Sequence, residues 1–281
     1  MTLGFSILSG VIQGLAEFLP ISSSGHLAIF QNTFGMTDGS SITAFNVLLH
    51  LGTLLAVFIV YWRDIFSLVP AFFTLCKKLF SKKFGFRYYN ESEKLLILMI
   101  IATLPLIIVA ALGLDDYLEA VNGCLWAIGG ILIFNGFVLL ISDRVGKQTK
   151  SIGQLSPLAA VGVGLCQMCA LLPGLSRSGS TITGGLLTGL RREDAVKFSF
   201  MLSIPAILGA CVLELPELFS GEGAVSSSEW GIYLAGALAA ALVGVGAMKL
   251  LQYISKKANF SGFSFYCFAV GVFAIVFDLV R

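Results

Sequence analysis

Charge is scarce in this chain of 281 residues. Asp, Glu, Lys and Arg together make up 12%, against about 25% in soluble domains. With 57% apolar residues and a mean hydropathy of +0.90, a fold in water would expose too much apolar surface to stay monomeric. The solvent must largely be lipid. A net charge of only +2 gives bulk nucleic-acid binding no electrostatic footprint. A disulfide framework is also missing. The six cysteines (Cys76, Cys124, Cys166, Cys169, Cys211, Cys267) are scattered mostly through apolar segments, unlike the spacing of a secreted scaffold. Cys166 and Cys169 form a CxxC, but no second ligand pair follows, so they read as small packing residues. No Lys or Arg precedes the first apolar run, which is not the pattern of an ordinary cleaved signal peptide. No Walker loop is present, and nucleotide hydrolysis is unsupported. What the chain has in excess is glycine, 31 residues, which suits close helix packing and broken helices in membranes.

Six stretches reach the roughly 20 apolar residues that a membrane helix needs: 42–62, 95–114, 124–142, 197–213, 230–252 and 263–280. Two further apolar regions, 4–35 and 156–190, are each interrupted by proline and a Ser/Gly-rich turn. Beyond the second turn only Thr181–Leu190 remains, about 16 Å of helix and too short to cross. Basic residues collect in 63–94 (Arg63, Lys77, Lys78, Lys82, Lys83, Arg87, Lys94), in 143–150 (Arg144, Lys147, Lys150), at Arg191, Arg192 and Lys197, and at Lys249, Lys256 and Lys257. Acidic residues collect in the alternate loops, at Asp115, Asp116 and Glu119 and then Glu214, Glu217, Glu222 and Glu229. The positive-inside rule places the basic loops in the cytoplasm. Segments 143–150 and 191–197 then lie on the same side, so the region between them must enter and leave by one face, as a re-entrant hairpin. Irregular backbone at that depth is tolerated only where protein buries it or a cavity hydrates it.

The two halves repeat. Gln13 and Gln167 are 154 residues apart, as are Ala16 and Ala170, Ser22 and Ser176, Ser24 and Ser178, and Gly25 and Gly179; Pro20 and Pro173 differ by 153, and Phe45-NVLLH echoes Phe198-SFMLS at 153. The expected fold is an all-α polytopic membrane protein, a single membrane domain over 1–281. It is an inverted repeat of three transmembrane helices plus one re-entrant helical hairpin each. Repeat one covers 1–142 and repeat two 156–281. An odd number of spans inverts the second copy, puts both termini outside and brings the hairpin tips together near the midplane.

Polar groups at membrane depth are costly and mark function by default. The first tip offers Gln13, Glu17, Ser22, Ser23, Ser24 and His26; the second offers Ser176, Arg177, Ser178, Ser180 and Thr181. Gln13 and Glu17 are four apart and share a helix face. A guanidinium holds a phosphate with two parallel hydrogen bonds, and a turn leading into a helix aims backbone N–H groups at an anion. Serine, histidine and carboxylate together suit nucleophilic or general acid–base chemistry.

Both tips resemble the paired motifs of the undecaprenyl-diphosphate phosphatase family, also called bacitracin-resistance proteins. The first motif reads Gln13 to Glu17, then Pro20-Ile21-Ser22-Ser23-Ser24-Gly25-His26; the second runs from Pro173 through Thr181 as P-G-L-S-R-S-G-S-T. The resemblance covers essentially the whole chain, with Gln13 where many members carry Glu. It implies an integral membrane phosphatase that converts undecaprenyl diphosphate to undecaprenyl phosphate and inorganic phosphate, recycling the cell-wall lipid carrier and conferring bacitracin resistance. It also implies a divalent cation, usually Mg²⁺, and a site opening on the outer face of the bacterial inner membrane. Under that resemblance Arg177 and the hydroxyls of Ser176, Ser178 and Thr181 clamp the diphosphate, with Ser22 a further contact. Glu17, with Gln13, positions the metal or activates the attacking group. Ser23 is a candidate nucleophile with His26 as its base or as the leaving-group acid; His26 itself or water are the alternatives. The expected partners are the lipid diphosphate and membrane lipid, with a homodimer allowed.

Gln167 reads as a structural hydrogen-bonder between the hairpins, and His50 with Asn46, in a span near the first tip, as a satisfied buried polar pair or, alternatively, as lining of the cavity. The main rival function is a transporter that flips undecaprenyl phosphate through the same inverted-repeat site; a non-catalytic scaffold is the other. The Glu/Ser/His/Arg set is richer than binding alone needs.

Overall fold

A computed structural model describes residues 1–36, 40–79, 85–113, 120–145, 148–219, 229–257 and 259–280. Lys82, Lys83, Asp115, Asp116, Glu119, Lys147 and Glu222, used above to orient the chain, lie outside the described residues. Among the described residues ten α-helices carry the fold: α1 (Leu3–Phe18), α2 (Ser23–Thr33), α3 (Ser40–Leu79), α4 (Glu91–Ala111), α5 (Leu125–Arg144), α6 (Pro157–Cys169), α7 (Arg177–Leu187), α8 (Arg192–Phe219), α9 (Trp230–Lys257) and α10 (Ser261–Val280). Among the described residues the sole β pairing is an isolated bridge between Lys150 and Leu190.

Among the described residues six helices, α3, α4, α5, α8, α9 and α10, are long and apolar enough to cross a membrane. Each turns large apolar side chains outward: Phe66, Ile108, Phe134, Val212, Leu242 and Phe273 are all more than half exposed. α1 and α6 are shorter apolar helices of 16 and 13 residues, and α2 and α7 have 11 each, about 16 Å of rise. None of these four spans a bilayer by itself.

The helices run longer than the apolar stretches that announced them. α3 continues from the expected end at 62 to Leu79 and includes Pro70, so much of the basic segment read as a loop is helical. Forty residues make about 60 Å, twice the hydrocarbon thickness. The excess is tied down beyond the kink at Tyr61 (φ −111°, ψ 24°). Lys78 Nζ donates to both carboxylate oxygens of the fully buried Glu93, at 2.9 and 2.7 Å. Glu93 and Asn90 form a capping box at the start of α4, which satisfies two orphan N–H groups there. α7 begins at Arg177, four residues before the expected Thr181, because Ser176 caps it and pulls the first turn into register.

Hairpin α1–α2 and hairpin α6–α7 each dock on a helix far away in sequence: α1 packs along α9, and α6 packs along α4. α3 lies against both α8 and α9, and α5 pairs with α10. The last pair is a close approach. A Cβ at Gly129 would meet the Gly271 carbonyl oxygen at 2.5 Å, and one at Gly271 would meet the Gly129 carbonyl at 2.6 Å. Small residues let backbones approach where no hydrophobic effect drives helices together. The pair is also capped reciprocally. Asp278, at the end of α10, accepts from Trp126 N at the start of α5 (3.0 Å). Asp143, at the end of α5, accepts from Phe260 N (3.0 Å) and Ser261 Oγ (2.6 Å) at the start of α10. Carboxylates at helix N-termini answer the macrodipole.

Candidate active site

The two hairpin turns meet inside the bundle. Ser22 and Ser176 play the same part in each: Ser22 Oγ accepts from Gly25 N at 3.3 Å and Ser176 Oγ from Gly179 N at 3.1 Å. Each lies 3.2 or 3.1 Å from the next serine but one, Ser24 and Ser178. These are N-caps, so α2 and α7 both direct their N-termini at the meeting point. Ser178 Oγ donates to the Leu19 carbonyl of the other tip at 3.2 Å, and Ser24 Oγ accepts from Gly174 N at 3.3 Å. Gly174 sits at φ +96°, and a Cβ there would come to 2.9 Å of the Ile128 carbonyl, so this turn admits only glycine. Asn135, fully buried in α5, joins the tips: its Nδ2 donates to the Pro20 carbonyl at 3.0 Å and its Oδ1 accepts from Ser176 N at 3.2 Å.

At the centre of this junction, Glu17 and Arg177 are 160 residues apart in sequence and share an ion pair of 2.6 Å between Oε1 and Nη2. Both side chains are largely enclosed, 7% and 16% exposed. The second carboxylate oxygen accepts from Ser23 Oγ at 2.7 Å and from Gln13 Nε2 at 3.0 Å. His50 Nε2 stands 3.9 Å from the same oxygen. Arg177 also donates through Nη1 to the Ser199 carbonyl at 3.3 Å. Glu17, Ser23 and Arg177 therefore converge on one point, as their motifs suggested.

Other expected contacts are not made. His26 does not bond Ser23. Its Nδ1 lies 2.7 Å from the Ser22 carbonyl and its Nε2 2.9 Å from the Tyr266 hydroxyl. Ser23 is bonded to the carboxylate instead, because the first turn of α2 sends positions 23 and 26 to different neighbours. Ser22 is the one non-glycine described with a left-handed backbone, φ +73°, and its carbonyl serves as the partner of His26. Ser22, Ser176 and Ser178 are buried and occupied as caps or tip-to-tip links. Thr181 Oγ1 bonds the Arg177 carbonyl at 2.8 Å and Ser199 Oγ at 2.7 Å, so it steadies the first turn of α7. Gln167, expected to link the hairpins, is buried with neither its side-chain oxygen nor its nitrogen partnered. Cys166 and Cys169 are free thiols.

Four participants were undervalued or missed. His50 was read as half of a buried pair with Asn46, yet its side chain is 36% exposed and faces Glu17. The Asn46 side chain accepts from Gln31 at 2.9 Å, while the Asn46 backbone carbonyl lies 2.8 Å from His50 Nδ1. Ser199 holds the repeat position of Asn46, a signal present in the echo at 153. Asn135 is a lone amide in an apolar span, which is itself a flag. Tyr266 carries no sequence signal.

The donor set fits a magnesium ion held jointly with a substrate. It offers one carboxylate, the Ser23 hydroxyl, and Gln13 Oε1, which is buried without a hydrogen-bond partner. Magnesium takes one or two carboxylates and fills its octahedron with phosphate oxygens and waters. Among the described residues no three His, Cys, Asp or Glu side chains form a self-sufficient cage.

The profile of the family described as bacitracin resistance protein BacA matches residues 6–273. The chain belongs to that family. It is 41% identical over 280 residues, the full length of both chains, to a protein named undecaprenyl-diphosphatase from Alkaliphilus metalliredigens (strain QYMF). It is 39% identical over 268 residues, 95% of this chain and 94% of the other, to an undecaprenyl-diphosphatase of Methanobrevibacter smithii. Over 283 residues, all of both chains, it is 36% identical to one from Desulforapulum autotrophicum. With six helices of spanning length, this is a multi-pass membrane protein.

Proposed function

We propose that this chain is an integral membrane phosphatase that hydrolyses undecaprenyl diphosphate to undecaprenyl phosphate and inorganic phosphate, returning the cell-wall lipid carrier to use. The observation that carries the reading is the junction of Glu17, Ser23 and Arg177, an acid–hydroxyl–guanidinium set built from both hairpins. It accords with full-length relatives that bear this enzyme's name.

Arg177 Nη2 lies 2.6 Å from Glu17 Oε1. An incoming terminal phosphate competes for that guanidinium, whose planar fork suits two phosphate oxygens. The N-termini of α2 and α7 add fixed positive dipoles as charge spreads over the transferred group. Glu17 Oε2, already the acceptor of the Ser23 proton, is the base. The attacking oxygen is Ser23 Oγ or a water in its place. It bonds to the terminal phosphorus, its proton passes to Glu17, and the bridging P–O bond breaks to release undecaprenyl phosphate. Attack by Ser23 leaves a phosphoserine that water then hydrolyses. His26 is the candidate proton donor to the leaving phosphate. Glu17, with Gln13, would hold Mg²⁺, which when bound neutralises phosphate charge.

The hairpins are re-entrant and the halves inverted in this reading. The support is reciprocity: α1 docks on α9 and α6 on α4, each across the repeat boundary, and Asp143 and Asp278 exchange caps between α5 and α10. With the basic loops inside, both termini and the site's opening face the outer side of the bacterial inner membrane, and the prenyl tail leaves sideways into lipid. The same reciprocity favours a second reading, transport of undecaprenyl phosphate, but transport has no use for the 2.7 Å Ser23–Glu17 contact.

The deciding experiment measures phosphate release from undecaprenyl diphosphate by the purified protein in lipid, with and without Mg²⁺, beside Arg177→Ala. Metal-dependent release that the variant loses supports the phosphatase. No release by folded wild type moves the weight to transport.

A further inference from the structure

The imidazole of His26 is held at both nitrogens. The Ser22 carbonyl, 2.7 Å from Nδ1, can only accept, so Nδ1 carries a proton. In the neutral ring Nε2 is then an acceptor, and the donor that meets it, at 2.9 Å, is the Tyr266 hydroxyl. The rings are also stacked, with centroids 5.5 Å apart and planes within 5° of parallel. In the charged ring Nε2 donates instead, and the phenol oxygen accepts, so the contact survives both protonation states. Tyr266 comes from α10, 240 residues away and outside both tip motifs.

We propose that Tyr266 is a positioning residue for His26. Stacking sets the plane of the imidazole, and the phenol hydroxyl on Nε2 sets its rotation and keeps the neutral ring's proton on Nδ1. Orientation and tautomer of a catalytic histidine are set by the partner of its other nitrogen; here the Ser22 carbonyl takes that part and Tyr266 completes it. The inference rests on His26 serving the phosphatase reaction.

The test compares wild type with Tyr266→Phe, which keeps the stack and removes only the hydroxyl, in the full chain in lipid nanodiscs. Diethyl pyrocarbonate modifies unprotonated imidazole nitrogens. His50 is the only other histidine in the chain, so peptide mapping gives an internal reference and reports an intact fold. Loss of one hydrogen bond should speed His26 modification about five-fold relative to His50. A misaligned acid should lower kcat for phosphate release about ten-fold with KM within two-fold. An unchanged His26 rate overturns the contact. A faster His26 rate with kcat unchanged overturns the positioning role. If wild type releases no phosphate, the phosphatase reading fails instead, and the modification rates still decide the contact.

Discussion

Breaking the Glu17–Arg177 pair separates its structural from its chemical role. The carboxylate and guanidinium are 7% and 16% exposed and 2.6 Å apart. With charge centres roughly 4 Å apart and an effective dielectric of about 20, their attraction is about 4 kcal/mol. Removing one partner of such a pair strands the other and costs about 3–5 kcal/mol. The two single variants should differ. Arg177→Met leaves Glu17 with hydrogen bonds from Ser23 and Gln13, so its cost sits near the lower end. Glu17→Met leaves Arg177 with one long bond, 3.3 Å, to the Ser199 carbonyl, so its cost sits near the upper end. The double variant removes both charges and should recover most of the stability, as apolar replacement of buried pairs does. The assay is the thermal midpoint in lipid nanodiscs by intrinsic fluorescence, where each kcal/mol moves Tm by roughly 2–4 °C. Phosphate release should be lost in all three, by about 10³-fold or more if the guanidinium clamps the transferred phosphate. A double variant as unstable as the sum of the singles would refute the coupling. Arg177→Met that still hydrolyses the lipid diphosphate would refute the clamp.

Three further outcomes follow from the same geometry. Ser23→Ala removes the hydroxyl bonded to Glu17 and should cut phosphate release about 10²-fold or more, while Ser24→Ala, on an exposed residue that caps the facing tip, should cost less than ten-fold; equal losses would argue that both act through the turn. Asn135→Leu leaves the Pro20 carbonyl and Ser176 amide without this partner, at about 1–3 kcal/mol for each, so thermal unfolding should shift down by several degrees and Arg177 chemistry should weaken with it. Chelation of divalent cations should abolish phosphate release and added Mg²⁺ restore it, with Gln13→Ala raising the Mg²⁺ concentration needed; a titration that Gln13→Ala leaves unmoved removes Gln13 from the cation's surroundings.

Much of the site was legible because its residues are polar where lipid makes polarity costly. Glu17, Ser23 and Arg177 stand out in apolar surroundings, and the 154-residue offset pairs their motifs before any contact is known. The spacing of Gln13 and Glu17 also gave their shared face correctly, since helical geometry is local. Partner choice was not legible. Arg177 shows no acidic neighbour along the chain, and its partner lies in the other hairpin. The resemblance offered His26 as the base for Ser23, but the left-handed Ser22 and the distant Tyr266 direct His26 elsewhere. His50 read more simply as a partner of Asn46 than as lining of the cavity; its Nδ1 does bond the Asn46 carbonyl at 2.8 Å, and only packing reveals where Nε2 points.

Composition and periodicity by themselves determined the solvent, the six long apolar helices, the two broken regions and the costly polar residues gathered at their turns. Each of these is set by transfer energy and by backbone satisfaction within a segment. The inverted repeat expected from the sequence already brought the two tips together; tertiary structure alone decided that Asn135 joins them and that Glu17 holds both Arg177 and Ser23. Those contacts depend on which helix faces approach across the bundle. In lipid that choice rests on small residues and unsatisfied polar groups finding one another, and it leaves little trace in local pattern.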